Sequence, residues 1–305
     1  MAFTRENAWF QTKLTTAAAA AEDDNAVSAL RIYTPPLQCL FTGTASAATT
    51  ADTLIASNLL DRAELLWQLI YAAAAELPEH HPALVDLLLA LQSRHQTQPS
   101  PSAAEQHAPN PALASWLTLF GPTWRARRDA LWAAREDGFD RAAQFDADGK
   151  KLLPREGDMY VNFHAFSARL LRAGIAPEVR GMMREAAWEA LAGVLEREVE
   201  GYDGGIVRER FEIETMVLFW LDVWAGVQWV VFAGEEVRGG EGQKGQQEGE
   251  RVGLLEVNGL WKGAEGFSEE RWGFWRERLR GFLEVRGAVP EPVRGVVEEA
   301  VRCME

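Results

Sequence analysis

The sequence predicts an all-α protein: a single domain over residues 1–305, built as an irregular bundle of about nine to ten helices with two flexible inserts. Three observations carry this. Apolar residues recur every three to four positions along most of the chain, whereas sustained alternation of apolar and polar residues is scarce. The most apolar run, MVLFWLDVWAGVQWVVF at 216–232, is interrupted only by Asp222 and Gln228. Two stretches, 96–112 and 238–253, hold so much Pro, Ser, Gln, Gly and Glu that they have almost nothing to bury.

Taken in order, MAFTRENAWFQTKLTT places Arg5, Glu6 and Lys13 where a secretory signal needs an uninterrupted apolar stretch. In SNLLDRAELLWQLIYAAAAEL, Asn58 is placed to cap a helix with a stripe of Leu59, Ala63, Leu66, Ile70 and Ala73. HHPALVDLLLALQ follows with Pro82 at a first helical position and Leu84, Leu87, Leu88 and Leu91 on one face, so the two segments read as a helical hairpin. After the first insert, PTWRARRDALWAAR reads as a short amphipathic helix, and EDGFDRAAQFDADGKKLLPREG as a polar connection. DMYVNFHAFSARLLRAG and APEVRGMMREAAWEALAGVLERE are the next helices, the second with an apolar face from Val179 through Leu195. Beyond the second insert, Ser268 caps a helix whose stripe is Trp272, Trp275, Leu279 and Phe282, and EPVRGVVEEAVRCM closes the chain.

Charge and cysteine content narrow the function classes. The net charge is −14, spread as 11 Lys+Arg against 17 Asp+Glu in residues 1–150 and 20 against 28 in 151–305. A general nucleic-acid binder needs a basic face, and none is visible. Cys39 and Cys303 are the only cysteines, too few for a disulfide framework or a thiolate metal site, which fits a reducing compartment, cytoplasmic or nuclear.

The apolar run reads as a core helix and not as a membrane span. A span needs about 20 apolar residues, and Asp222 near mid-bilayer would cost roughly 2.5–3.5 kcal/mol. On a helical wheel Glu214, Thr215, Leu218, Asp222, Ala225, Gly226 and Trp229 share a polar, small side that lets another helix approach. MYVNFHAFSARL, residues 159–170, places Asn162 and Arg169 two turns apart on one side and His164 on the other. The two helices are therefore expected to cross at the centre, with Arg169 paired to Asp222 and Glu214 as the second choice of partner.

NFHAFSARL, LWQLIYAAAAELPEHHPALVDLLLALQ and IETMVLFWLDVWAGVQWVVF together resemble a large family of uncharacterised fungal proteins, known as a domain of unknown function, over roughly residues 58–235. The segment after residue 238 shows no such likeness. The resemblance implies a helical fold and no activity; Asn162 and Arg169 match its motif and inherit a structural expectation only.

Motifs with chemistry in them fall short one by one. Gly240-x-Gly242-x-x-Gly245 has dinucleotide-turn spacing but opens no apolar helix. EDGFD at 136–140 resembles the Asp-rich magnesium motif of helical terpenoid synthases, yet Gly138 is expected to break the helix carrying Asp137 and Asp140. In FDADGKK, Lys150 occupies the third calcium-ligand position. His80, His81, His95, His107 and His164 form no zinc pair at four-residue spacing; His80 and His81 read as capping residues, and His164 as a core histidine. WRARRDALW at 124–132 reads as a solvated basic face.

What remains is an intracellular protein-binding or scaffolding module, leaning away from an enzyme, with no cofactor, metal, nucleic acid or membrane implied. The rival reading is an enzyme or carrier with a pocket for an apolar small molecule, bounded by Trp220, Trp224 and Trp229. No residue is singled out as catalytic; Asn162, His164, Arg169, Glu214, Asp222 and Trp229 are the structural or binding candidates.

Overall fold

In a computed structural model, the described residues are 5–20, 24–56, 63–97, 111–141, 155–196, 210–239, 260–263, 267–284 and 289–305. Within them the side chains at 17–20, 24–27, 29, 95–97, 111–117, 136–141, 155 and 210–216 are not described. The fold is all-α, with eleven α-helices and no strand among the described residues. The chain groups into two compact units, Met1–Ala130 and Leu131–Glu305. Their boundary falls inside a continuous helix, not in the 96–112 stretch, of which residues 96, 97, 111 and 112 are helical and the rest lie outside the described residues.

The first unit contains α1 (Arg5–Ala20), α2 (Asp24–Phe41), α3 (Ala47–Ala56), α4 (Ala63–Glu76), α5 (His81–Thr97) and the beginning of α6 (Pro111–Arg141). Asn58 and Leu59 lie outside the described residues, but Ala63, Leu66, Ile70 and Ala73 form the buried stripe of α4 and Leu84, Leu87, Leu88 and Leu91 that of α5. A single 3₁₀ turn, Pro78–His80, links these helices, and α5 then packs chiefly on α3 and only lightly on α4. His81 bonds the Ala74 carbonyl at 2.7 Å, satisfying one of the last acceptors of α4. His80 stacks on Phe41, with ring centroids 4.5 Å apart. Glu76 gathers the Trp9 indole at 2.8 Å and Lys13 at 2.7 Å, tying α1 to the end of α4.

α6 is longer than the sequence reading allows. It runs 31 residues through Gly138, so the polar connection begins later and Gly138 does not break the helix; the side chains at 136–141 and all of 142–154 lie outside the described residues. One glycine costs only about 1 kcal/mol in a helix interior, which thirty neighbours readily offset.

The second unit contains the end of α6, then α7 (Arg155–Arg172), α8 (Pro177–Leu195), α9 (Arg210–Arg238), α10 (Glu269–Glu284) and α11 (Glu291–Cys303). α9 is its axis, packed most extensively on α7 and then on α11 and α8. The expected crossing of the 159–170 and 216–232 helices is thus present. Close approach is built from small residues: a Cβ on Gly157 would meet Leu221 at 2.9 Å, and one on Gly226 would meet the Ala190 carbonyl and Val194 of α8 at 3.4 Å. The turn that follows α7 holds Gly174, whose φ of +78° is the left-handed conformation glycine adopts without penalty. α9 bends at Ala233, where the backbone leaves helical geometry. The stretch Val217–Arg238 is long and apolar enough to cross a membrane, and 67% of its most apolar window is buried within the protein. Residues 240–253 of the second insert lie outside the described residues.

Candidate functional site

The site is built from the end of α6, the middle of α7 and the middle of α9, all in the second unit. Leu131 of α6 is buried, and Arg135, one turn further along, enters the interior on the same face. Its Nε and one terminal nitrogen donate to the two oxygens of Asp222 at 3.0 and 3.1 Å, the two-pronged geometry that suits guanidinium and carboxylate. The other terminal nitrogen donates to the Trp132 carbonyl at 2.8 Å. The guanidinium also lies 4.3 Å from the centroid of the Trp132 ring and 5.7 Å from that of Tyr160.

Tyr160 continues the cluster. Its ring meets His164 edge-on at 4.6 Å, and the Trp229 indole N–H donates to His164 Nδ1 at 2.9 Å. With Nδ1 acting as acceptor, the neutral imidazole carries its proton on Nε2. His164 and Trp229, predicted separately, are therefore one buried unit.

The structure corrects the central ion pair. Asp222 is neutralised by Arg135 and not by Arg169, whose guanidinium lies 3.7 Å from the ring centroid of Phe232. Phe232 is ten residues beyond Asp222, roughly 15 Å along a helix at 1.5 Å per residue. Arg169 is half-buried; burial and the neighbouring Arg172 both lower its pKa. Asn162 is half-buried on α7. Glu214 lies on the first turns of α9, and its side chain is outside the described residues. Of the three tryptophans assigned to a pocket, Trp220 is buried edge-on against Phe282 at 5.3 Å, Trp229 is buried on His164, and Trp224 is half-buried.

A second buried node went unpredicted. Arg271 of α10 holds Glu196, at the end of α8, through bonds of 2.5 and 2.6 Å, and the Trp275 indole donates to the same carboxylate at 2.7 Å. Trp188, Trp261 and Trp275 surround the guanidinium at 5.0–5.7 Å. Signals for both nodes were in the sequence: Trp132 and Arg135 are three apart and Arg271 and Trp275 four apart, spacings that share a helix face.

Chemically, this arrangement holds groups in place. Both oxygens of Asp222 face Arg135, and Nδ1 of His164 is engaged by an indole, so neither is poised to take a substrate proton. What the cluster presents outward is Trp132, 48% exposed above its arginine.

Residues 67–279, more than two thirds of the chain, match the family model described as Protein of unknown function (DUF3632). The chain belongs to this family. The match begins inside α4 and ends inside α10, so the family region extends past residue 238, beyond the limit set by the sequence resemblance, and takes in both buried nodes. No curated protein and no solved structure matches the chain.

Proposed function

We propose that this DUF3632 protein is an intracellular protein-binding module whose anchor is Trp132. The observation behind the reading is the contrast among tryptophans. With the side chain of Trp116 outside the described residues, Trp132 is the exposed one, and every other described tryptophan is buried or half-buried. Isolated exposed apolar residues are ordinary on proteins. This one is held by a buried arginine, itself fastened to Asp222 and to the Trp132 carbonyl, so little conformational freedom is lost when a partner covers it.

Each nitrogen of Arg135 already donates a hydrogen bond and its charge is met by Asp222, so the partner supplies an apolar pocket and not an anion. The net charge of −14 favours a basic rim around that pocket and disfavours nucleic acid. Within the basic stretch 124–132, Arg127 approaches Glu76 at 3.9 Å and Arg128 bonds Asp129 at 3.0 Å. A cytoplasmic or nuclear location is in keeping with free cysteines at 39 and 303. The burial of α9 within the second unit supports a reading without a membrane.

The test is cross-linked purification of the full chain from native extract beside Trp132→Ala and Trp132→Phe. A defined chain that cross-links near Trp132, disappears with alanine and returns with phenylalanine is the expected result. Identical co-purifying chains from all three forms would end the proposal.

A further inference from the structure

The N-terminal helix is held differently from the helices it joins in the first unit. Its described side chains are those of residues 5–16, and of these Trp9 and Phe10 alone are buried, whereas α4 buries nine of its fourteen. A helix that buries so little apolar surface opens locally at a low free energy. α1 packs on α2, and in place of a broad apolar face it has a row of polar contacts that converge on one short segment. Arg5, Glu6, Trp9 and Lys13 follow helical spacing along one side of α1, and all four reach residues 76–80, the corner between α4 and α5.

Each contact has a defined partner. Arg5 donates to the Glu79 carboxylate at 2.6 Å and to the Glu76 carbonyl at 3.2 Å, and the Glu6 carboxylate lies 3.3 Å from His80 Nε2. The two oxygens of Glu76 are divided between Lys13 at 2.7 Å and the Trp9 indole at 2.8 Å, and the Glu76 side chain is only 11% exposed. Beside them Phe10 stacks on Phe41 and Phe41 on His80, with ring centroids 5.7 and 4.5 Å apart, so an aromatic shelf adjoins the carboxylates. The corner lies inside the residues that match the family model, and α1 lies outside them.

This is the anatomy of a helix laid on a complementary surface: a small aromatic anchor at the centre with charged pairs around it. The corner takes a base, then an aromatic pair one turn later, then a second base after another turn, and α1 supplies that pattern with Arg5, Trp9, Phe10 and Lys13. The outer pair, Arg5 with Glu79, is open to water and salt, whereas the Glu76 contacts are sheltered and carry the hold. We propose that α1 is a releasable strap, the internal ligand of a helix-docking site at the α4–α5 corner, with Glu76 as its latch. Neither the strap nor its test involves Trp132.

Hydrogen exchange of the full chain, followed by mass spectrometry at constant pH, tests the strap. Amides of α1 are expected to exchange at least about tenfold faster than those of α4 and α5, and faster still as salt is raised. Glu76→Gln should speed exchange in α1 severalfold and leave α5 unchanged. The docking site is tested with a synthetic peptide of residues 1–20 added to the full chain carrying Lys13→Ala, a change that loosens the strap and keeps both aromatic anchors. The peptide should bind this variant saturably, and more tightly than it binds the parent chain, where α1 competes from within; the same peptide with Trp9→Ala should not bind. Exchange in α1 as slow as in α4 and α5, or unmoved by Glu76→Gln, would make α1 a fixed part of the core and overturn the proposal. So would a peptide that prefers neither chain or binds equally well without its tryptophan.

Discussion

Arg271 and Arg169 both lie against aromatic rings, and their fates differ. Arg271 is 5% exposed, ringed by Trp188, Trp261 and Trp275, and gives its fork to Glu196; Arg169 rests on Phe232 and has no carboxylate. Rings attract a cation, but they do not accept its N–H groups in strong hydrogen bonds. A carboxylate does, which turns the buried arginine into a fixture of the fold. Without one, the Nε–H of Arg169 is enclosed with no hydrogen-bond acceptor among the described residues.

Breaking the fixture should give the largest effect. Glu196→Ala strands a buried guanidinium and an indole N–H at once, and we expect a loss of about 3–5 kcal/mol in urea unfolding. A loss below about 1 kcal/mol would mean that the tryptophans alone hold Arg271. Asp222→Ala comes next, with a loss of roughly 2–4 kcal/mol, because its side chain is 13% exposed and water reaches the vacated site. Here a second readout sharpens the comparison. Arg135 loses its anchor, so the Trp132 ring above it should become more mobile, seen as lower fluorescence anisotropy.

These two nodes also show where sequence reasoning succeeds and where it stops. Helix stripes such as Leu84, Leu87, Leu88 and Leu91, or Trp272, Trp275, Leu279 and Phe282, were legible because burial of a helix face imposes a period on the sequence. So was the Ser268 cap, whose hydroxyl accepts the Arg271 N–H at 3.1 Å. The crossing of α7 and α9 followed from two helices that are apolar nearly all round. Ion-pair partners were not legible: Asp222 needed a cation, but Arg135 lies 87 residues away in a helix that Gly138 was expected to end. Periodicity states which face is buried and is silent about which distant charge meets it. His164 with Trp229 and Glu196 with Arg271 were hidden for the same reason, since no spacing rule joins residues on different helices.

Arg169→Met should behave unlike either buried pair. The substitution removes a partly desolvated charge and leaves no stranded carboxylate, while methionine keeps contact with Phe232, so stability should stay within about 1 kcal/mol of the parent in either direction. Loss of several kcal/mol in thermal or urea unfolding would show that Arg169 has an undetected structural acceptor, and the contrast with Arg271 would collapse.

The smallest effect is expected two residues before Arg271. Glu269 at the start of α10 bonds Arg238 at 2.7 and 2.9 Å, geometry almost as good as that of the buried node, but both side chains are exposed. Water and salt screen such a pair. The hydrogen bond from Arg238 holds the Glu269 carboxyl below the usual glutamate range. A carboxylate whose folded pKa is depressed adds stability above its unfolded pKa and loses it as pH falls through the folded value. Glu269→Gln should therefore lower the melting temperature only marginally at neutral pH in dilute buffer. The difference should vanish in strong acid and again at high salt. A large, salt-insensitive loss at pH 7 would place Glu269 beside Glu196 among the structural carboxylates, and would show that exposure is a poor guide to which arginine partners hold this fold together.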